Sequence, residues 1–242
     1  MIMRKSKLYI IIYVLTLIMS IPFLLACSST SALKEGQQLF TGLKPIEYSN
    51  YEKSGYADTT MLEMENVLAS APNGALFGSS YYRTPFPVRL WIWNAFSQSE
   101  GGVAKWITKA FGSKPKLMSN VNPQLRAQVA ENQLDKYGYF NGKVTYDVIT
   151  DNNPKKAKVA YHVDMGHLWT LDTVKYLGFP NEGQQLIDST RNLAVIRTGS
   201  PFNVSRLEEE RQRITRLFRN NGYYFYKNGY ASYLADTLGT PG

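Results

Sequence analysis

The chain has 242 residues, of which 44% are hydrophobic and 19% charged, so it holds enough apolar side chains for one sizeable core or two small ones. This composition argues against a disordered chain. Lysine and arginine number 27 against 19 acidic residues, and the net charge of +8 taken alone suggests nucleic acid or an anionic membrane as partner. One cysteine and two histidines exclude a four-ligand Cys/His zinc site and a disulfide framework within the chain.

The amino terminus has the pattern of a secretory signal peptide, in which a short basic stretch precedes an uncharged apolar run at 8–25. By length alone, this run of 18 residues could instead span a membrane as an uncleaved helix. Its end matches the lipobox, in which a dedicated peptidase cuts before a cysteine that already carries diacylglycerol. The matching residues are Leu24, Leu25, Ala26 and Cys27.

The serine-rich stretch after Cys27 favours a lipoprotein, because a stop-transfer helix more often has a basic flank. A small buried thiol in a transmembrane helix is the alternative. We predict a signal peptide at 1–26, a Cys27 that carries diacylglycerol and an acyl chain, and a flexible tether at 27–36. The stretch 28–33 has no acidic residue, which agrees with sorting to the periplasmic side of the outer membrane.

Cleavage before Cys27 would change the charge balance of the chain. It leaves 24 basic and 19 acidic residues, a net charge of +5. An envelope lipoprotein rarely meets DNA, so we do not expect nucleic acid as a partner. Of the net charge of +8, three positive charges therefore lie in the predicted signal peptide, and the remaining +5 lies in the predicted periplasmic part.

After the tether, the pattern predicts a short strand within 39–48 and a helix over 59–69 that Thr60 caps. The segment 72–115 is rich in glycine, serine and proline but too aromatic for a disordered linker. Within it, an apolar stripe at 102–111 lies opposite two lysines, which suits an interfacial helix on anionic lipid. The candidate membrane contacts are Lys105, Trp106, Lys109 and Phe111. Packing of the stripe on the chain's own sheet is the alternative and the commoner case.

From position 123 the pattern predicts a helix, with Asn122 as its cap and Gly138 at its end. Alternating apolar residues at 144–148 and 159–163 then predict a β-hairpin. A second helix of the same kind follows later in the chain.

This second helix has a capping box of Ser205 and Glu208 and ends at Gly222. An aromatic strand is predicted at 223–234. The two glycine-aromatic helix ends lie 84 residues apart, which indicates a repeated module of about 80 residues.

This order of elements resembles the POTRA modules of the outer-membrane assembly superfamily, to which BamA and TamA belong. The best-matching piece, 121–166, covers a second helix and a closing hairpin, and 163–178 resembles the passage from a last strand to the next module's first strand. Pro201 and Phe202 before the second helix also fit the family. With its lipobox, the chain is most similar to the lipoprotein form of TamA.

The resemblance implies an α+β fold of tandem modules, each with a three-stranded mixed sheet packed on two helices. It places a first module at 37–166, with an insertion at about 72–115, and an incomplete second module at 167–242. Members of the superfamily continue into a membrane β-barrel, which this sequence lacks. We therefore expect a fragment, the product of a split gene or a subunit without its barrel.

The implied function is a non-enzymatic scaffold of outer-membrane protein assembly. Its partners would be outer-membrane lipid, a TamB-like periplasmic protein or other assembly-machine subunits, and unfolded outer-membrane proteins. A client strand would add to the edge of the predicted strand 223–234, unless its aromatic faces merely form the core. The candidate edge residues are Tyr223, Tyr224, Phe225 and Tyr226.

The sequence has no convincing nucleophile motif, phosphate-binding loop or HExxH motif, so we expect no enzyme, no metal and no cofactor beyond the lipid on Cys27. His162 and His167 are interpreted as structural or exposed, because neither has an identifiable acid or nucleophile partner. One alternative is a glycan- or peptidoglycan-acting lipoprotein, which would need two carboxylates at a fixed separation. A structural lipoprotein without a partner is another.

Overall fold

The computed structural model describes residues 28–236. The predicted signal peptide and lipidation site lie outside the described residues, as do residues 237–242. The predicted features concerned are Leu24, Leu25, Ala26 and the acylated Cys27. Within 28–236 the chain has an α+β fold, as predicted.

The described chain forms two compact units whose segments alternate along the sequence. Unit 1 comprises 28–48, Leu62–Ala130 and Val144–Val163. Unit 2 comprises Ser49–Met61, Glu131–Lys143 and 164–236. Two segments of the predicted first module, 49–61 and 131–143, therefore belong to unit 2.

Strands and helices follow one another along the described chain. The strands are β1 (Leu39–Leu43), β2 (Glu47–Ser49), β3 (Lys143–Thr150) and β4 (Lys156–Asp164). The α-helices are α1 (Gly55–Leu68), α2 (Val88–Phe96), α3 (Gly102–Phe111), α4 (Met118–Val121), α5 (Pro123–Lys136), α6 (Asn181–Ser189) and α7 (Val204–Asn220). Short 3-10 turns lie at Leu76–Gly78, Arg191–Leu193 and Asn228–Tyr230.

The strands form one sheet with β4 as its central member, since β1, β2 and β3 all pair with β4. β1 runs parallel to β4, with Leu43 opposite Val159. The register shifts just before Leu43, where Gly42 has a φ of +126° that favours glycine. A Cβ at Gly42 would lie 2.9 Å from the carbonyl oxygen of Ser80. The strand predicted within 39–48 is confirmed as two short strands.

The core of unit 1 packs along β1 and β4. The strand predicted at 159–163 is confirmed as part of β4, in which Val159, Tyr161 and Val163 are fully buried and His162 is half-buried. The predicted alternation is incomplete, because Ala160 is buried as well. Burial of each such apolar side chain contributes about 1.5–3 kcal/mol. Other buried residues of this core are Leu39, Phe40, Leu43, Met64, Leu68 and Leu90.

The stretch that follows the predicted anchor packs on unit 1. Leu33 is buried in a cluster with Leu39 and Leu90, and two polar side chains before it are buried as well. The flexible tether predicted at 27–36 is therefore wrong for its described part. The reason is that Leu33 supplies an apolar side chain that the core accommodates.

The start of α1 corrects the predicted cap. The helix begins at Gly55, and the Ser54 hydroxyl accepts a hydrogen bond from the Ala57 N–H at 3.1 Å. Thr60, the predicted cap, is buried within the helix and donates to the Tyr56 carbonyl oxygen at 3.0 Å. Ser54 is the better cap because it lies just before the first turn.

The predicted ends of α5 are confirmed. The Asn122 side chain accepts a hydrogen bond from the Leu125 N–H at 3.3 Å. Gly138 follows the helix with a φ of +85°, and a Cβ there would lie 2.8 Å from the Phe202 carbonyl oxygen. Glycine is thus required at this position both by the backbone angle and by the close approach.

Unit 2 is built around α6 and α7. Its core residues are Ile187, Ile214 and Phe218, against which Tyr176, Phe179, Leu217 and Tyr226 pack. α7 begins after Asn203, whose side-chain oxygen accepts a hydrogen bond from the Arg206 N–H at 3.2 Å. The predicted cap, Ser205, is exposed inside the first turn, so this prediction is wrong by two residues.

The first strand predicted for the second module, within 169–178, is wrong. The structure has an isolated bridge between Thr170 and Pro201, and the Trp169 N–H donates to the Gly138 carbonyl. A strand needs a neighbouring strand for its backbone groups. The described residues after Asp164 form no strand that could provide one.

The strand predicted at 223–234 is wrong as well. After the helix the chain turns back along α7, and the Tyr226 ring stacks on Phe218 at a centroid distance of 4.6 Å. The Arg219 side chain donates to the Tyr226 carbonyl oxygen at 2.9 Å. These contacts hold the segment against a helix, so the predicted strand-binding edge is not formed. Its residues are Tyr223, Tyr224, Phe225 and Tyr226.

Candidate functional site

The insertion at 72–115 contains helices α2 and α3, which pack against each other. Several large apolar side chains of this pair remain exposed. We call them the hairpin surface: Phe86, Val88, Phe96, Val103, Trp106 and Phe111. Exposed apolar side chains grouped on one short segment mark a contact surface for lipid or protein.

The orientation of α3 explains this exposure. Thr108 is the buried residue of the helix, and its hydroxyl donates to the Ala104 carbonyl at 2.9 Å. Trp106 is 62% exposed and Phe111 is 51% exposed, with their ring centroids 5.8 Å apart. Lys105 and Lys109 are also exposed. The helix therefore turns both its aromatic pair and its lysines outwards.

The stretch that follows the predicted lipid attachment site contacts this same helix pair. The Ser28 carbonyl oxygen accepts a hydrogen bond from the Asn94 side chain of α2 at 3.0 Å. Leu33 packs with Leu90, one turn earlier on α2. The chain thus enters unit 1 along α2, one residue after the predicted lipid attachment site.

Positive charge is concentrated in the same part of the chain. Residues 71–120 contain six basic side chains and one acidic side chain, Glu100. The rest of the described chain has 18 basic and 18 acidic residues, which cancel. The whole net charge of +5 on residues 28–236 therefore lies in the segment that carries the hairpin surface.

One of these basic side chains has a structural role. Lys116 donates from Nζ to the Ala71 carbonyl at 2.8 Å and lies over the Phe40 ring at 5.8 Å. Burial lowers the pKa of Lys116. The Asn73 side chain accepts from the Lys116 N–H at 2.6 Å and donates to the Lys114 carbonyl at 2.8 Å, which fixes the end of the insertion.

A polar cluster lies on the exposed surface of the sheet. His162 on β4 contacts Glu47 Oε2 on β2 at 2.9 Å and Asp147 Oδ2 on β3 at 3.1 Å. The two carboxylates are largely exposed, and His162 is half-buried. Within residues 28–236, no group of three or more His, Cys, Asp and Glu side chains is arranged to hold a metal ion. The cluster links three strands across the sheet.

Sequence reasoning missed a buried ion pair in unit 2. Glu210 is fully buried and contacts Arg213 at 2.6 Å, while the Tyr176 hydroxyl and the Val195 N–H donate to it at 2.8 and 2.7 Å. Burial raises the pKa of Glu210, but these hydrogen bonds outweigh burial and hold the pKa below its ordinary value. The signal was available, because Glu210, Ile214 and Phe218 are spaced four apart on one helix face.

Comparison with protein-family models finds none that matches the chain, and a search of curated proteins finds no match. No helix within 28–236 is long and apolar enough to cross a membrane. Function must therefore be inferred from the surfaces of the chain itself.

Proposed function

We propose that the protein is a non-enzymatic periplasmic scaffold of outer-membrane protein assembly, attached to the outer membrane by an acylated Cys27. Its partners are a TamB-like protein or other assembly-machine subunits, and unfolded outer-membrane proteins. The POTRA-like part binds an extended strand of a partner or client. The observation that carries this proposal is the position of β3 in the sheet.

β3 pairs with β4 and with no other described strand. Each strand has two hydrogen-bonding edges, so the second edge of β3 at 145–150 offers backbone donors and acceptors to an incoming strand. Val148 and Ile149 near its end are exposed, and they provide apolar contacts for alternate side chains of a bound segment. This edge replaces the one predicted at 223–226.

The order of elements supports the resemblance to POTRA modules. The strands and long helices of this part follow in the order β1, β2, α1, α5, β3 and β4, so its sheet has one strand more than the three that the resemblance implied. β1 lies parallel to β4, the last strand of the set. The insertion with α2 and α3 falls between the two long helices, where it interrupts none of the strands.

A glycan-acting enzyme is less well supported. Such an enzyme holds two carboxylates on either side of the bond that it cleaves. The aromatic segment 71–120 contains one acid, Glu100, and the carboxylates of Glu47 and Asp147 both bind His162 on the sheet. Neither place combines two unengaged carboxylates with aromatic side chains.

Site-specific photocrosslinking tests the role of β3. We expect a benzoylphenylalanine residue in place of Ile149 to crosslink the full chain to an unfolded outer-membrane protein in the envelope. The same residue in place of Leu62, which is exposed on α1, is the matched control and should give no such adduct. Equal adducts at both positions, or none at Ile149, would contradict the proposal.

A further inference from the structure

We infer that the hairpin surface is a second, non-covalent membrane contact, which lays α2 and α3 on the anionic bilayer that the lipid of Cys27 enters. This inference rests on the lipid anchor of the proposed function, and it adds that unit 1 has a fixed orientation on the bilayer. The occupant is the headgroup region of a bilayer that contains anionic lipid.

Ser28, the residue after the predicted lipid attachment site, contacts α2. Ser28 is held on α2 through Asn94. Consecutive Cα atoms are about 3.8 Å apart, so an anchor on the residue before Ser28 would be joined to this contact by a single residue step. An anchor before Ser28 would therefore tie the bilayer to the helix pair that carries the hairpin surface.

The second step is the short connection between anchor and fold. A long free tether would let unit 1 turn in any direction relative to the bilayer. Here Leu33 is buried against Leu39 and Leu90, and Ser29 and Thr30 are buried too. The anchor thus holds the membrane close to α2 and α3 and away from most other surfaces of unit 1.

The third step is the chemistry of the surface. Val103 is 74% exposed, and it lies on α3 with the exposed Trp106 and Phe111. Aromatic and aliphatic side chains of an amphipathic helix insert at the boundary between headgroups and acyl chains. Lys105 and Lys109 on the same helix can meet lipid phosphates.

The positive charge of the segment that carries the hairpin surface favours anionic lipid over a protein partner. The segment 71–120 has a net charge of +5 while the rest of the described chain is neutral. A basic segment is attracted to an anionic membrane surface, and each lysine or arginine strengthens the attraction. An apolar protein groove would need the aromatic side chains but would gain nothing from this charge.

Fluorescence quenching in reconstituted vesicles tests the inference. The full-length lipidated protein is incorporated into vesicles of phosphatidylglycerol and acyl-brominated phosphatidylcholine in equal parts. We expect the bromine atoms to quench tryptophan emission, and Trp106→Phe to remove much of that quenching. The matched control Trp169→Phe, in unit 2, should leave it in place.

A pair of charge substitutions tests the contribution of the two lysines to the membrane contact independently. Lys105→Glu combined with Lys109→Glu should reduce the quenching of Trp106 in the anionic vesicles. Lys53→Glu combined with Lys136→Glu changes the net charge equally at exposed sites in unit 2 and should have no effect. Circular dichroism confirms that each variant is folded, which we expect because the altered side chains are exposed.

Flotation of the same samples separates the two possible failures. If the protein floats with the vesicles but Trp106→Phe leaves the quenching unchanged, the membrane contact of the hairpin surface is overturned and the anchor stands. If the wild-type protein does not float, the anchor fails, and the inference fails with it. Quenching that is lost in Trp106→Phe and in the lysine pair supports the inference.

Discussion

Glu210 shows how a single residue can decide the stability of unit 2. Transfer of a carboxylate from water into a core costs several kcal/mol unless partners compensate. Arg213, Tyr176 and the Val195 N–H provide these partners. Burial and the contact with Glu210 raise the pKa of Tyr176 to about 12, so its hydroxyl remains a donor. The hydrogen bonds from Tyr176 and Val195 to Glu210 connect α7 to the segment that precedes it.

Removal of one partner should therefore be costly. We expect Arg213→Met to lower the free energy of unfolding by about 3–5 kcal/mol, because it leaves the buried carboxylate without its cation. The double variant Arg213→Met with Glu210→Leu should recover most of this loss. Urea denaturation measures both values. A single variant as stable as the wild type would show that Glu210 is not buried as an ion.

The same carboxylate predicts a pH dependence. The pKa of Glu210 is lower in the folded protein than its ordinary 4.5, so its contribution to stability is complete above about pH 4.5 and is lost as the pH falls towards the folded-state pKa. The wild type should lose stability in acid more steeply than the double variant Arg213→Met with Glu210→Leu. Thermal unfolding at several pH values measures the difference, and parallel curves would contradict this role.

At the scale of elements, local patterns predicted helices better than strands. The cap of α5 at Asn122 and its end at Gly138 were readable because both depend on residues within one turn. The structure of the aromatic segment 223–234 could not be predicted in this way. Its alternating pattern fits a strand, but it fits a segment that packs on α7 equally well. A strand exists only where another strand meets its backbone, which the local sequence does not encode.

The cap of α7 provides a test at this scale. Asn203→Ala should cost about 1–2 kcal/mol, because it removes the acceptor for the Arg206 N–H and a hydrogen bond to the Tyr56 hydroxyl. Ser205→Ala, at the cap that the sequence favoured, should change the free energy of unfolding by little. Urea denaturation measures the free energy of unfolding of both variants. A larger loss in Ser205→Ala than in Asn203→Ala would show that Ser205 is the cap.

For the whole molecule, the distribution of charge could be read from the sequence, but the exposure of the hairpin surface and the edge position of β3 could not. The concentration of positive charge at 71–120 is visible in the sequence, yet the exposure of Trp106 depends on which side of α3 packs inwards. In the same way, the open edge of β3 follows from the order of strands in the sheet. Long-range packing decides both surfaces.

The lipid anchor is tested by Cys27→Ala. We expect the wild type to incorporate labelled palmitate and to lose the mass of residues 1–26 on cleavage, because the peptidase acts on the modified cysteine. The variant should remain unlabelled and uncleaved. Mass spectrometry and metabolic labelling measure the two effects. Equal masses for wild type and variant would instead support a transmembrane helix at the amino terminus.

Amide hydrogen exchange of the full-length protein tests strand binding at β3, the central claim, most directly. On addition of an unfolded outer-membrane protein, we predict slower exchange at 145–150 of β3, because an added strand would bond to the second edge of this strand. Asn181–Ser189 in unit 2 is the internal control and should exchange at the same rate with and without the client. Unchanged exchange along β3 at saturating client would contradict the account.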